Sequence, residues 1–538
     1  MKIKSFFKKW GLVFILSLSL VIMIFDTTML NVSIKNIVQD LDTSFKNVQW
    51  AIAIYALVMA SFMLLGGKIG DLYGRKKTFI LGASIYGIGT LLAAISPNIA
   101  TLIIGWSIIE GIGAALMMPA TMSLLIANYS GKDRKIGFGI WGGIAGSTAA
   151  LGPLFSGYMT TNYSWRWAFA LEIFIVIAII GLSFLIKESR ENKSEKLDII
   201  GTILSTTGLA SLIYGIIEAS TYGWWRAKEI YKIGSLEINI LNLSITPIFI
   251  LLGIIILTIF ILWQIKISKT GDPLLHLSLF KNREYTAGIA TTGILGLAHA
   301  GIFFTLPIFL QVVGNYSAQE TGIALLPMSI TVFLASGIFA KFGNKIPAKY
   351  IIQLGIIIVV ISVFVLKNGL NINISNWDIA PGLALFGLGF GIIMSQITNL
   401  TLSAAPVDKA GEASGLSTTI RNLGGSLGTA IIGTILVSSL ATNMISGVNK
   451  SKILPDPLKQ EVVKDVEKNG QKMTQEDINT ENSQISQNIS GELKNIKNKA
   501  TVEANKESLN YTAFFTFLTL LISFLIPKKK LEENQLLE

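Results

Sequence analysis

A chain of 538 residues that is 51% hydrophobic and 14% charged has too few charges for a soluble protein, in which about a quarter of residues are charged. With a mean hydropathy of +0.59 it reads as an integral membrane protein. Its formal charge of +11 sits in short basic segments beside apolar runs, which is the pattern of loops facing anionic lipid and not of a nucleic-acid surface. It has no cysteine, which excludes disulfides and thiolate chemistry, and only two histidines, His276 and His299. A histidine-rich metal site is therefore not expected, and neither is a cofactor.

The N-terminus places Lys2, Lys4, Lys8 and Lys9 before an apolar run that reaches Leu30 without a small-residue cleavage site, so the run is read as an uncleaved first helix. The runs Trp50–Leu65 and Thr78–Ile95 follow. They are joined by Gly66–Lys77, a glycine-rich turn with Lys68, Arg75, Lys76, Lys77 and one acid, Asp71. Long apolar segments recur over residues 10–30, 49–67, 78–96, 100–126, 135–158, 165–187, 198–218, 245–267, 284–312, 319–342, 349–367, 379–403, 411–440 and 510–527. Each is of spanning length. Alternate loops are basic, as at Lys132/Arg134/Lys135, Lys266/Lys269/Lys281/Arg283 and Lys528–Lys530. This alternation predicts about fourteen transmembrane helices with both termini in the cytoplasm.

The expected fold class is all-α, with two six-helix bundles and two extra linking helices. Residues 1–197 form the N-terminal bundle with its cytoplasmic loop 66–77. Residues 198–270 form the linking pair, and 271–445 the first five helices of the second bundle. Residues 446–509 form an external loop, and 510–538 the last helix and tail. Gly111–Met118 resembles Gly387–Met394, each followed by a polar turn, which supports two parallel halves around a central site. In the external loop, Leu458/Val462/Val466 and Ile485/Ile489/Leu493/Ile496 recur at helical spacing and predict a helical hairpin, with a solvated loop as the alternative.

An ionisable residue inside a spanning helix costs roughly 2.5–3.5 kcal/mol by insertion scales and so marks a functional candidate. Asp26, Glu110 and Glu172 are of this kind. Asp26 is followed by Thr27, Thr28 and Asn31, which can solvate it. Glu110 is the deepest acid, and Glu172 stands near Arg166 as a possible partner. Glu218 reads as interfacial. Arg421 lies within the thirteenth segment. Segment five is rich in small residues around Gly152 and Pro153, which suits a tightly packed, kinked gate. Trp141, Phe303, Phe304, Phe309, Phe386, Met117 and Met394 are candidates for an apolar cavity wall. No phosphate-cradling loop, nucleophile elbow or zinc-protease motif is present, so neither ATP drive nor a catalytic constellation is encoded.

Gly67-x-x-x-Asp71-x-x-Gly74-Arg75-Lys76 resembles the loop between helices two and three of the major facilitator superfamily. Asp26-Thr27-Thr28-x-x-Asn31, Trp165-Arg166-Trp167-x-Phe169, Gly152-Pro153-x-x-Ser156-Gly157 and Arg421-Asn422-Leu423-Gly424-Gly425 resemble motifs of its fourteen-helix drug:proton antiporter family. The insert before the last helix is similar to that of some quaternary-ammonium exporters. Four positions depart from the family pattern, one of them Ser156, which makes the second glycine pair of the helix-five motif Ser156-Gly157. Ser107 and Glu110 stand where the family has arginine and glutamine, and Glu172 where it has asparagine.

The resemblance implies a proton-driven multidrug exporter of amphipathic, cationic compounds working by alternating access. It is expected to act as a monomer in a bacterial or archaeal cell membrane, with protons, small-molecule substrates and lipids as its partners and no nucleic acid. Asp26, Glu110, Glu172, Asn31 and Arg421 are the expected coupling and substrate residues, with Glu110 for the substrate's charge and Asp26 for the proton. Gly67, Asp71, Gly74, Arg75, Gly152 and Pro153 are the expected gating residues. Asp71 is expected to latch onto the helix N-terminus near Gly411–Ser414. The alternatives are a transporter of another cargo, such as a lipid, siderophore or metabolite, and a non-transporting sensor. A membrane enzyme ranks third.

Overall fold

The computed structural model describes every residue except 1, 130, 190–196, 234–235, 239–242, 340–341, 343–345, 405–409, 470–486 and 529–538. The first half comprises α1 (Lys2–Asp40), α2 (Phe45–Tyr73), α3 (Arg75–Ala94) and α4 (Ile99–Leu102). The short α4 runs on through a π-helical stretch (Ile103–Glu110) into α5 (Gly111–Asn128). α6 (Gly131–Asn162) and α7 (Arg166–Ser183) complete this half. α8 (Ile199–Tyr222) and α9 (Ile245–Ile267) follow. The second half comprises α10 (Arg283–Val312), α11 (Ala318–Phe339), α12 (Ala348–Gly369), α13 (Asn376–Ser403) and α14 (Ala410–Lys450), then α15 (Asp456–Asn469) and α16 (Gln487–Ser523).

Among the described residues twelve helices are long and apolar enough to cross a membrane. Of the other two expected spans, 135–158 lies within α6, and 510–527 begins in α16 and runs four residues past its end. The chain is helical as expected, with one short hairpin. Strands β1 (Tyr231–Ile233) and β2 (Leu236–Ile238) pair antiparallel between α8 and α9, with Tyr231 opposite Ile238. Short polar residues start the helices where the sequence supplies them. Ser44 accepts from the Asn47 amide, Asn98 from Thr101 and Asn282 from Glu284 and Tyr285.

The halves repeat one packing scheme. α3 lies on α5, and α12 lies on α13. A Cβ on Gly113 would stand 2.7 Å from the Gly82 carbonyl, and a Cβ on Gly389 would stand 2.6 Å from the Gly355 carbonyl. The repeated glycine-rich segments therefore serve the same close helix approach in both halves. The halves meet through α2 on α14, α6 on α11 and α1 on α10.

The end of the molecule carrying the α2–α3 turn is the basic end. Cross-half hydrogen bonds lie at both ends: at the basic end Lys68 Nζ donates to the carbonyls of Asp272 and Pro273 (3.2 Å each), and several more lie at the opposite, far end. Lys35 Nζ donates to the Gln311 carbonyl (3.1 Å), and the Gln311 amide donates to the Val32 carbonyl. Gln49 donates to the carbonyls of Thr429 (3.0 Å) and Ala430 (3.1 Å), and the Gln319 amide donates to Thr161 (2.9 Å).

α8 and α9 pack against each other, and α8 lies on α2 and α14. Glu218 is buried near the end of α8. It accepts from Lys46 Nζ at 2.8 Å and from the Trp50 indole at 3.4 Å. Asp198 caps α8 and draws in α9, accepting from Gly201 (2.8 Å), Trp263 (2.9 Å) and Gln264 (2.7 Å). Beyond the far end, α14, α15 and the start of α16 bury a separate apolar core of Met444, Val448, Leu454, Val466, Leu493 and Ile496. Ile485, from the expected amphipathic patch, lies outside the described residues.

The α2–α3 turn depends on Gly74, whose φ is +113° and whose missing Cβ leaves room for the Glu188 carboxylate 2.7 Å away. That carboxylate accepts from the amides of Lys76 (3.0 Å) and Lys77 (3.3 Å), at the positive end of α3. Gly74→Ala is expected to lower stability by about 1–3 kcal/mol, read as the thermal midpoint of the solubilised protein. Gly181→Ala, whose added Cβ meets nothing within 4 Å, should leave the midpoint unchanged. Equal midpoints for the two variants would contradict the strained turn.

Candidate functional site

Asp26 from α1, Glu110 from the π-helical stretch and Glu172 from α7 meet inside the first half. Each offers a carboxylate oxygen within 4.8 Å of the other two. Their exposures are 0%, 0% and 1%. The backbone is shaped to allow this. A Cβ on Gly89 would collide with the Glu110 amide, so glycine lets α3 come against the π-helical stretch. The wider winding of that stretch turns both Trp106 and Glu110 toward Asp26, and such π segments recur at functional sites.

Each acid has one donor. The Trp106 indole donates to Asp26 at 2.7 Å, Thr90 donates to Glu110 at 2.9 Å, and the Tyr86 hydroxyl donates to Glu172 at 3.1 Å. Asp26 also stands beside Glu110 and the Tyr55 hydroxyl. The second oxygen of each carboxylate has no donor. No lysine or arginine among the described residues pairs with any of the three. Ser107 instead donates to the Ala51 carbonyl of α2 at 2.8 Å. Glu172 does not pair with Arg166. That guanidinium is held by Asp40, by the Ser96 carbonyl at 2.7 Å and over the Trp165 ring.

Beside the cluster, between the two halves, lies a cavity of about 460 Å³. Tyr55 and Trp106 form part of its wall, stacked at 4.9 Å and 6°. The pair thus separates the cavity from the acids, and the Trp106 indole joins the two. None of the three acids is on the cavity wall, and the Glu110 carboxyl faces Asp26 and Thr90. Asn31 and Arg421 do line the cavity. On the opposite wall His299 stacks near Phe303 (4.3 Å) and Phe390 (4.5 Å).

Of the other aromatic and methionine candidates, Trp141, Phe386 and Met394 line the cavity, while Phe304 and Phe309 are packed in the core. Tyr55, Tyr86, Thr90 and Trp106 were not among the sequence candidates. An aromatic residue in an apolar helix carries no signal that separates a cavity wall from a lipid face.

The gating candidates fall in three places. A Cβ on Gly67 would sit 3.5 Å from Pro119 of α5. The Arg75 amide donates to the Ser189 carbonyl at 2.9 Å, fixing α3 to the chain after α7. Gly152 and Pro153 are buried in α6, where the Pro153 carbonyl touches Gly322 of α11. α6 runs through Pro153 as one helix. The side chains of Asp71, Glu412 and Ser414 lie outside the described residues, as does the Asp71 latch.

A family model described as the Major Facilitator Superfamily matches residues 16–429. The chain is 25% identical over 451 residues to the multidrug resistance protein Stp of Mycobacterium tuberculosis, covering 84% of this chain and 79% of that one. It is 26% identical to a probable actinorhodin transporter of Streptomyces coelicolor (82% and 75% covered). It is 28% identical to the methylenomycin A resistance protein of Bacillus subtilis (78% and 86% covered). Among solved structures, a bacterial homologue of the human lysosomal transporter Spinster, inward-facing and unoccupied, superposes with a TM-score of 0.58 at 13% identity. That match covers 98% of this chain and 99% of that one.

The Trp106–Asp26 hydrogen bond is testable by itself. Trp106→Phe keeps a ring against Tyr55 and removes the donor, and is expected to cost about 1–3 kcal/mol in thermal stability. In combination with Asp26→Leu, most of that cost should disappear. Additive losses in the double variant would contradict the bond.

Proposed function

Since the chain belongs to the major facilitator superfamily, and so is a multi-pass membrane transporter, we propose that it exports amphipathic compounds across a cell membrane in exchange for protons, by alternating access. The observation that carries this reading is the position of Trp106. Its ring stands at the cavity wall, and its indole N–H holds Asp26 in a cluster of three carboxyls that no cation among the described residues pairs with. Three buried carboxylates cannot all remain charged at such separations, because burial and mutual repulsion both oppose it. A proton held between two of them supplies the missing hydrogen bond. The relatives named for drug resistance and antibiotic transport support export as the direction.

On this reading the basic end faces the cytoplasm. The hydrogen bonds at the far end close the molecule on the outside, leaving the cavity to load from within. Substrate seated against Tyr55 and Trp106 disturbs the indole bond to Asp26 and changes how tightly the cluster holds its proton. Rocking of the two halves about α2–α14, α6–α11 and α1–α10 then exposes the cavity to the other side. Each charge that crosses with the proton gradient is worth roughly 2.3 kcal/mol per 100 mV.

The test is transport of a fluorescent amphipathic dye into everted vesicles under an imposed ΔpH, acidic inside. Asp26→Asn and Glu110→Gln are expected to lower ΔpH-driven transport by about tenfold or more, the usual weight of a positioned proton-transfer group. Binding of a neutral dye to the purified variants should persist. Normal ΔpH-driven transport with all three acids neutralised would reject proton coupling through this cluster.

A further inference from the structure

The charge shown to the cavity is opposite to the charge hidden behind it. Arg421 of α14 is the one charged residue on the cavity wall among the described residues, and no aspartate or glutamate is there. α6, part of whose side chains are not described, has no ionisable group from Ile136 to Gly157 other than residues that are neutral at pH 7. The Arg421 side chain is open to the cavity and has no hydrogen-bond or ion-pair partner among the described residues. Its neighbour Asn422 also lines the cavity, with its amide nitrogen buried and without an acceptor. Gly296 makes this possible: a Cβ there would meet the Arg421 carbonyl at 2.8 Å, so glycine lets α10 approach α14 at this level.

A guanidinium keeps its charge in proteins. Removed from bulk water and unpaired, it is costly unless an anion answers it. Its five donors form a fork that matches a carboxylate, and the free Asn422 amide adds a further donor. One helix away the rings of His299, Phe386 and Phe390 lie nearly parallel, His299 to Phe390 at 18° and Phe386 to Phe390 at 13°. The Tyr55–Trp106 stack forms a second flat surface of the same cavity. The volume falls in the range that admits a drug-sized molecule.

We propose that Arg421 and Asn422 form an anion subsite, and that the preferred cargo is a flat aromatic compound bearing a carboxylate or similar acidic group. This rests on the export reading only in taking the cavity as the substrate site. It reverses the expectation of a cationic cargo, which assumed that acids line the cavity. Coupling and recognition are then separate. The acids handle protons behind the aromatic stack, and the arginine selects the substrate in front of it.

The probes are 2-naphthoate, 2-naphthalenemethanol and 2-naphthylmethylammonium, which share a ring system and differ in charge. Their binding to the full-length purified protein in lipid nanodiscs is followed by quenching of tryptophan fluorescence, to which Trp106 and Trp141 at the cavity wall contribute. The anion is expected to bind at least about tenfold more tightly than the cation. Arg421→Gln should abolish that preference and leave the neutral alcohol's affinity unchanged, which also shows that the variant is folded. Arg421→Lys should keep part of the preference. A cation bound as well as or better than the anion, a preference that survives Arg421→Gln, or no binding of any probe overturns the subsite. Proton-coupled export is judged separately, by the vesicle assay on the acid variants.

Discussion

Three carboxyl groups share a buried pocket in which no cation among the described residues pairs with them, and much of the local structure follows from that constraint. Glycine at position 89 is needed for α3 to come against Glu110. The π-helical winding from Ile103 to Glu110 is needed for Trp106 and Glu110 to face Asp26 together. Serine at position 107 leaves the pocket without the arginine expected from the family pattern, and its hydroxyl is used instead to tie α2 to the π-helical stretch. Three neutral donors, from Trp106, Thr90 and Tyr86, supply one bond to each acid. The remaining oxygen of each has no donor, and on the proposed reading these are where protons bind. Such a cluster changes its interactions each time a proton enters or leaves, which is what coupling to a gradient requires.

The aromatic stack of Tyr55 and Trp106 gives this cluster its relation to the cavity. Without it the acids would face the cavity and bind a cationic substrate directly. With it they are reached through one indole N–H, and the cavity presents Arg421, the free amide of Asn422 and aromatic faces. A substrate site and a proton site can then compete through a shared side chain without sharing the same atoms. Far-end contacts such as Lys35–Gln311 and Gln49–Thr429 hold the two halves together on one side.

Much of this was legible in the sequence. The apolar segments, the basic turns and the two glycine-rich repeats predicted the helices and the two halves, because insertion in lipid demands long apolar runs and close helix packing demands small residues. Asp26, Glu110 and Glu172 were conspicuous because ionisable groups are rare in such runs. Their meeting point was not legible, because it depends on three helices from distant parts of the chain. The partner expected for Glu172 shows the limit: Arg166 is close in sequence, but its guanidinium turns to Asp40 at the helix ends, while Glu172 turns inward to Tyr86. Tyr55 and Trp106 gave no signal, since an aromatic residue suits a lipid face, a core or a cavity equally. The β1–β2 hairpin escaped notice because strands of three residues leave no periodic pattern.

On the proposed reading the Asp26–Glu110–Glu172 cluster holds the coupling proton and responds to an occupied cavity. Infrared difference spectroscopy of the protein in lipid, substrate-bound minus free, reads it directly through the carbonyl stretch of a protonated carboxyl group. The account predicts a carboxyl band that shifts or is lost on substrate binding, and that is missing from the difference spectrum of the Asp26→Asn, Glu110→Gln, Glu172→Gln triple variant. The same band appearing unchanged in the triple variant would place the proton elsewhere and contradict the account.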